Sequence, residues 1–217
     1  MQPLTEQEKL LATAQVKQGR YQYPDPDTGE DRSWTRATTF AGGAGDHTGL
    51  NKWSTSLALR GFMERPDIYA VAHGAYHLND ERGFSEACER AGEQAGTDRG
   101  SNLGTAWHYQ SELLDRGFSV VPPIPEMVTM VAAHAKLAEA YHFPPEYIER
   151  QVANTTYGTM GTLDRLVKHQ ALGHDGSLHV GDWKTGKTLN WLEIAVQLYL
   201  YASASHIVVP GGYAPMP

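Results

Sequence analysis

A change of pattern in the second half of the chain limits most strongly what it can fold into. Up to about residue 143, apolar residues recur mostly at helical spacing, whereas after Pro144 and Pro145 short apolar runs alternate with glycine-containing turns. We predict three strands, one helix and a further strand in this half: Tyr147–Thr156, Met160–Lys168, Ser177–Asp182, Asn190–Ala204 and Ile207–Val209. Helices followed by a strand meander, a helix and a strand are typical of an α/β fold.

The first part of the chain is predicted to be mainly helical. Thr5 and Glu8 have the spacing of a capping box and indicate a helix over Met1–Arg20. Loops are predicted at Tyr21–Asp31, which contains prolines and a glycine, and in the glycine-rich stretch Ala41–Gly49. Further helices are predicted over about Leu50–Glu64, over Phe84–Asp115 with a break near Arg99-Gly100, and from Pro125 onward.

Composition argues against several classes of protein. No apolar run approaches the roughly 20 residues that span a bilayer, and residues 1–20 lack a signal-peptide pattern, so we expect an intracellular protein without a membrane partner. The single cysteine, Cys88, can neither form a disulfide within the chain nor hold an iron–sulfur cluster. A net charge of −7 argues against a general basic surface that coats nucleic acid, but is compatible with a local basic cleft around bound metal.

The segment most informative about chemistry is Leu178–Lys184. Because side chains alternate along a strand, Asp182 and Lys184 are expected to project from the same face. A carboxylate can hold a hard divalent cation, and a neighbouring ammonium can orient or activate water and stabilise developing negative charge. The pair therefore suits phosphodiester hydrolysis, although an isolated D-x-K is more often a salt-bridged strand end.

A second carboxylate is predicted beside this segment. Asp164, the last residue of Gly161–Asp164, lies on the preceding predicted strand. Adjacent strands lie about 4.8 Å apart, so antiparallel pairing would bring Asp164 within reach of Asp182. Two carboxylates on neighbouring strands can share one cation.

Two helices carry further polar residues at regular spacing. His108 lies on a predicted helix, with Glu112 one turn beyond it. Gln197 and Tyr201 share one face of the last helix at spacing i, i+4.

In their order along the chain, these segments resemble the motifs of the RecB-like branch of the PD-(D/E)XK nucleases. The family pattern is G-x-x-x-H, G-x-x-D, D-x-K followed by T-G, and Q-x-x-x-Y. The matching segments here are Gly104–His108, Gly161–Asp164, Asp182–Gly186 and Gln197–Tyr201. The resemblance covers about Arg99–Ala204, and within the branch it is closest to phage-encoded relatives of the CRISPR-associated exonuclease Cas-four.

The resemblance implies a restriction-endonuclease-like core, with a central mixed sheet flanked by helices and a helical N-terminal part. We expect one nuclease domain over 1–217, with the helical part at about 1–143 and the catalytic sheet core at about 100–209. The family has further strands beyond Val209, so C-terminal elements of the domain are expected to be missing.

The resemblance also implies roles for the matched residues. The ligands of Mg²⁺ or Mn²⁺ would be His108, Asp164, Asp182 and the backbone carbonyl of Trp183. Lys184 would be the catalytic lysine, acting with Asp182 and Asp164, while Gln197 and Tyr201 would brace the site or contact DNA. The four cysteines that bind an iron–sulfur cluster in many Cas-four proteins are missing, so no such cluster is expected.

The implied function is that of a Mg²⁺- or Mn²⁺-dependent deoxyribonuclease, and, following the family, an exonuclease. Its partner would be single- or double-stranded DNA, cut during DNA processing or recombination. A phage-encoded enzyme of this kind would act in the host cytoplasm. The sequence does not indicate a particular oligomeric state.

Two other interpretations stay open. Gly181–Thr188 matches the phosphate-binding loop pattern G-x-x-x-x-G-K-[ST], which would make Lys187 a phosphate ligand in a nucleotide-binding protein. Few residues follow it to supply the remaining parallel strands of such a fold, and Trp183 is bulky for a loop that wraps phosphate. The other interpretation is a catalytically silent DNA-binding module.

Three residues are weaker candidates for the site. Glu149, on the first predicted strand of the meander, could supply another metal contact, although a solvated strand face is the more ordinary interpretation. Glu112 could lie beside His108, and Lys187 could contact a phosphate of the DNA.

Overall fold

The computed structural model describes residues 15–17, 19–97, 99–122, 124–142, 147–169, 177–185 and 189–217. They belong to two compact units, of which one comprises the described residues of Met1–Gly45 and Trp107–Pro217 and the other comprises Asp46–Ala106. Strands and helices occur within these residues in the following order: β1 (Gln15–Lys17), β2 (Arg20–Pro24), β3 (Asp31–Arg36), α1 (Ala37–Gly42), α2 (Thr48–Glu64), α3 (Pro66–His77), α4 (Glu81–Ala95), α5 (Arg99–Asp115), α6 (Pro125–Ala140), β4 (Tyr141–His142), β5 (Ile148–Asn154), β6 (Thr159–His169), β7 (Leu178–Gly181), α7 (Trp191–Ala202), β8 (His206–Val209) and β9 (Gly212–Pro215).

The strands form one mixed sheet in the order β1-β2-β3-β6-β5-β8-β9, with β4 and β7 also paired to β6. Among the described pairings, β3 with β6 is parallel and the others are antiparallel. The predicted α/β class, with a mixed sheet and helices, is confirmed.

Strand β6 shares each of its two edges between two strands. β5 pairs with its first part, from Thr159 to Arg165, and β4 continues along the same edge. On the other edge, β3 pairs with Thr159 and Met160, while β7 pairs from Arg165 onward. The described pairings therefore leave residues 161–164 without a strand partner on that edge, and this gap contains Asp164.

Both faces of the sheet are covered by apolar side chains. Consecutive strand residues point to opposite faces, and Val152 packs with Leu200 and Tyr201 of α7, whereas its neighbour Ala153 packs with Trp34 and other side chains of the opposite face. The cluster that contains Val152 fixes α7 against β5 and against β6, the strand that carries Asp164.

The unit Asp46–Ala106 is held together by close helix packing. Ile68 and Ala72 of α3 pack with Ala87 and Ala91 of α4 in a small buried cluster. Gly61 of α2 contacts the α4 backbone so closely that a Cβ built on it would lie 1.9 Å from the Ala91 carbonyl oxygen. A hydrogen is therefore the largest substituent that this crossing accommodates.

Several elements agree with the sequence-based prediction. Strands β5, β6 and β7, the helices α2, α6 and α7, and strand β8 lie within a few residues of their predicted ranges. The predicted break near Arg99-Gly100 corresponds to the interval between α4 and α5. Helix α3 was not among the predicted elements.

The predicted helical character of residues 1–143 is wrong for residues 15–36, which form β1, β2 and β3. The predicted loop Tyr21–Asp31 shrinks to a turn in which the Gly29 N–H donates to the Asp25 carbonyl at 2.7 Å. Pairing of Tyr21 with the fully buried Trp34 across this hairpin outweighs the loop signal of the prolines. Thr5 and Glu8 lie outside the described residues.

The C-terminal stretch is also more regular than predicted. Residues after Val209 turn back at Gly211, whose φ is +88°, and form β9 against β8. No helix in the described part of the chain is both long and apolar enough to cross a membrane.

We predict that Gly61→Ala destabilises the helical unit by about 3 kcal/mol, because the new methyl group overlaps the α4 backbone. Gly74→Ala in α3 is the matched control: its methyl group meets no atom within 4 Å, and alanine favours the helix by up to about 1 kcal/mol. Urea unfolding followed by amide hydrogen exchange in α2 and α4 measures both changes. Equal exchange protection in the two variants would contradict the prediction.

Candidate metal centre

Three side chains from different elements converge in the unit that contains the sheet. His108 of α5, Glu149 of β5 and Asp164 of β6 each offer one ligand atom, and these atoms lie within 4.8 Å of one another. His108 Nδ1 is 3.5 Å from Asp164 Oδ2 and 3.6 Å from Glu149 Oε1. One imidazole nitrogen and two carboxylate oxygens form a donor set that could hold a divalent cation.

The position of Glu149 depends on an irregular point in β5. Ile148 pairs with Arg165 and Arg150 pairs with Leu163, so Glu149 lies opposite Asp164. Its φ is +50°, in the left-handed region that a residue with a side chain rarely adopts. This conformation costs on the order of 1 kcal/mol and is typical of functional sites, where surrounding contacts maintain it.

Asp182 and Lys184 follow directly after β7. The register of β6 with β7, in which Arg165 pairs with Gly181, continues so that Asp182 comes beside Asp164. Lys184 Nζ lies 2.8 Å from Asp182 Oδ2, and the lysine side chain is 35% exposed while that of the aspartate is 6% exposed. The amine therefore reaches solvent beside a carboxylate that is nearly enclosed.

Trp183 anchors this segment between the two charged residues. Its indole ring lies 5.5 Å from the His134 ring and 6.5 Å from the Trp107 ring, measured between centroids. Its backbone N–H donates to Asp164 Oδ2 at 2.6 Å. The ring thus packs against α5 and α6, and the backbone ties the end of β7 to Asp164.

The carboxylates of the site repel one another in the absence of a cation. Burial, followed by the charge of Asp182, raises the pKa of Asp164 from 3.8 to about 7. The pKa of His108 is also raised, chiefly by Glu149, while burial opposes the rise and the charges of Asp164 and Asp182 add to it. Both shifts favour the protonated groups, and a bound cation would replace those protons.

Gln197 and Tyr201 of α7 lie beside the part of β6 that the described pairings leave without a strand partner on one edge. Gln197 Nε2 donates to the Tyr201 hydroxyl at 3.3 Å, and both residues are buried. A Cβ built on Gly161 would lie 2.7 Å from Tyr201 Cε1, so the tyrosine ring rests on the glycine. Burial raises the pKa of Tyr201, and the charges of Asp164 and Asp182 add to the rise.

The predicted site residues thus fall into groups. His108 and Asp164 come together at ligand spacing, and Glu149, a weaker candidate in the sequence, joins them. Asp182 forms the pair with Lys184 and is not part of the group of ligand atoms within 4.8 Å. The role of Asp182 and of the Trp183 carbonyl as metal ligands stays a prediction.

The other two weaker candidates are Glu112 and Lys187. Glu112 Oε1 accepts a hydrogen bond from Arg116 Nε at 2.9 Å and is not part of the ligand group. Lys187 lies outside the described residues, as do Gly186 and Thr188.

Sequence reasoning missed a buried polar network behind the ligands. Arg165, which the sequence presents as a basic residue near the proposed site that could bind phosphate, is completely buried and contacts Asp115, Ser111 and Glu149. Its position next to Asp164 was visible in the sequence, but its burial depends on the packing of α5 against β6.

Comparisons of this chain with protein-family models, with curated proteins and with solved structures returned no match.

We predict that Mn²⁺ raises the melting temperature more at pH 8 than at pH 6. Burial raises the pKa of Asp164 to about 7, so the stability that its protonated form contributes in the metal-free protein is present at low pH and is lost as pH rises through about 7. The raised pKa of His108 acts in the same direction. A cation offsets that loss at pH 8, whereas at pH 6 it must displace protons. Differential scanning fluorimetry at the two pH values checks this.

Two variants test whether the Mn²⁺ effect on the melting temperature depends on Asp164. Asp164→Asn is expected to unfold at a higher temperature than the parent at pH 8 without metal and to lose most of the Mn²⁺ effect. Glu112→Gln, an acid on the same helix as His108 that pairs with Arg116, is expected to keep it. A Mn²⁺ effect that is unchanged in Asp164→Asn would place the metal elsewhere.

Proposed function

We propose that this chain is a divalent-metal-dependent deoxyribonuclease of the RecB-like PD-(D/E)XK type. The observation that carries the proposal is the convergence of His108, Glu149 and Asp164, with the Asp182–Lys184 pair at the end of the adjacent strand. The strand meander β5-β6-β7, followed by α7 and β8, supports the finer proposal of a restriction-endonuclease-like core. The ordered motifs Gly104–His108 to Gln197–Tyr201 support it independently.

Each residue has a role in hydrolysis that follows from its surroundings. When bound, Mg²⁺ or Mn²⁺ would supply Lewis-acid activation of the scissile phosphate and a water of lowered pKa. His108, Glu149 and Asp164 would hold the ion, and Asp182 would supplement them from the neighbouring strand. Because three carboxylates around one divalent ion leave it without net positive charge, the site also needs a separate cationic group toward the substrate.

Lys184 is that group. Its amine is held by Asp182 Oδ2 at 2.8 Å yet remains partly exposed, so it can donate to a water or to a phosphate oxygen. A charge-assisted donor in this position would orient the attacking water and stabilise the negative charge that develops on phosphorus-bound oxygens. Tyr201, which is hydrogen-bonded to Gln197, packs on Gly161 of β6. This contact fixes the strand that carries Asp164.

The arrangement argues against the phosphate-binding-loop alternative. That loop follows a strand in a parallel sheet, whereas β7 pairs antiparallel with β6. Trp183, in the middle of the matching segment, is packed against His134 and Trp107 rather than leaving backbone free to wrap a phosphate.

We expect the protein to degrade linear end-labelled DNA in Mg²⁺ or Mn²⁺ and to leave circular DNA intact if it is an exonuclease. Asp182→Ala and Lys184→Ala are expected to lower the cleavage rate by about 100-fold or more, because each removes charge that acts on the transition state. Gel or fluorescence assays of single- and double-stranded substrates measure the rates. Lys136→Ala, which removes an exposed lysine of α6, is the matched control and should cut normally.

Cleavage by Asp182→Ala and Lys184→Ala at the parent rate would show that the proposed residues are wrong. Tight ATP or GTP binding that is lost in Lys187→Ala but retained in Asp164→Ala, without DNA cleavage, would favour the nucleotide-binding alternative. Binding of DNA without cleavage across several metals would favour the catalytically silent module.

A further inference from the structure

A completely buried arginine lies directly behind the proposed metal ligands. Arg165 follows Asp164 in β6, and none of its surface is exposed. A guanidinium carries five N–H donors, and burying it without acceptors would be strongly unfavourable. Here the acceptors are Asp115 Oδ2, Glu149 Oε1 at 2.9 Å, Ser111 Oγ at 3.1 Å and the Asp164 carbonyl at 2.6 Å.

These contacts join the elements that carry the ligands. Ser111 and Asp115 lie on α5, the helix of His108, while Glu149 lies on β5 and Arg165 on β6. Asp115 uses its second oxygen, Oδ1, to pair with His134 Nε2 of α6 at 2.6 Å. One guanidinium therefore ties two strands to α5, and through Asp115 to α6.

The network reaches two of the ligands through single contacts. Glu149 Oε1, which accepts from Arg165, is the same oxygen that lies 3.6 Å from His108 Nδ1. Ser111 Oγ, which accepts from Arg165, donates to the His108 carbonyl at 3.0 Å. Arg165 thus contacts the Glu149 carboxylate directly and the backbone of His108 through one hydroxyl.

Glu149 needs such a partner. Its left-handed backbone, with φ of +50°, is not favoured by local geometry, so contacts from elsewhere must maintain it. The Arg165 contact satisfies Oε1 and balances the negative charge of a residue that also faces Asp164. A lysine at position 165 would keep the charge but could not direct several fixed donors to Asp115, Ser111 and Glu149 together.

We propose that Arg165 is a positioning residue of the metal centre, whose guanidinium holds the Glu149 carboxylate and the His108 helix in place for a divalent cation that it does not contact. The inference rests on the proposed metal site. It assigns Asp115 and His134 as the anchor of Arg165, and it predicts that metal affinity depends on residues behind the ligand set.

The test is the affinity for Mn²⁺ alone, measured by electron paramagnetic resonance or calorimetry without DNA. Arg165→Lys is expected to weaken Mn²⁺ binding by about 10- to 100-fold, as substitutions behind metal ligands commonly do. Arg116→Lys, at an arginine that pairs with Glu112, is the matched control and should bind Mn²⁺ as the parent does. A folded Arg165→Lys protein, judged by circular dichroism, with parent affinity would overturn the inference.

The dependence on Glu149 separates positioning from general packing. If Arg165 acts through that carboxylate, Arg165→Lys will weaken binding much less in a Glu149→Gln background than in the parent. An equal loss of affinity in both backgrounds would mean that Arg165 does not act through the Glu149 carboxylate, and would overturn the assignment.

Ser111→Ala keeps the inference testable should Arg165→Lys not fold. It deletes only the hydroxyl between Arg165 and the His108 carbonyl, and one hydrogen bond corresponds to about a 2- to 10-fold loss of Mn²⁺ affinity. Unchanged affinity in Ser111→Ala would contradict the inference.

The two proposals can fail separately. Mn²⁺ binding that is weakened by Arg165→Lys, in a protein that cuts no DNA, would overturn the nuclease function alone. DNA cleavage by the parent, together with parent Mn²⁺ affinity in Arg165→Lys, would overturn the positioning role alone.

Discussion

Strand β6 determines where the chemistry of this protein can lie, because its hydrogen-bonding edges are divided among four strands. β3 ends beside Met160 and β7 begins beside Arg165, and the stretch between them includes Asp164. The Asp164 side chain is held by a hydrogen bond that its Oδ2 accepts from the backbone N–H of Trp183. Its carboxylate lies among polar groups from three elements: His108 of α5, Glu149 of β5 and Asp182 at the end of β7.

The like charges and the left-handed backbone at this site destabilise the folded protein, and two cationic side chains offset the charge. Carboxylates of Glu149, Asp164 and Asp182 lie near one another, and Glu149 adopts a left-handed backbone. Two cationic side chains with different surroundings offset this charge: Arg165 is enclosed behind the ligands, whereas Lys184 reaches solvent in front of them. Perturbed ionisation and backbone strain concentrated in one group of residues are typical of functional sites. The two cations therefore differ in surroundings, one buried within the protein and one open to solvent.

Much of the sheet core and of the site could be predicted from the sequence, since β5–β7 and α7 have clear periodicity and the motif residues fall at their ends. Strands β1–β3 could not, because a hairpin with prolines at its turn resembles a loop until the pairing of Tyr21 with Trp34 is known. Glu149 could not be placed beside His108 and Asp164 from its residue type, because its position depends on one irregular backbone angle. The burial of Arg165 likewise depends on α5, which supplies Asp115 and Ser111 as its partners. No sequence pattern within β6 indicates that packing.

The contact between Gly161 and Tyr201 changes how the two motifs that contain them should be understood. The tyrosine ring occupies the space that a side chain at 161 would need, so the glycine of one motif and the aromatic residue of the other form one steric unit. Among homologous chains the two positions should covary, with a larger residue at the first accompanied by a smaller one at the second. An engineered change at either position would therefore require a matching change at the other.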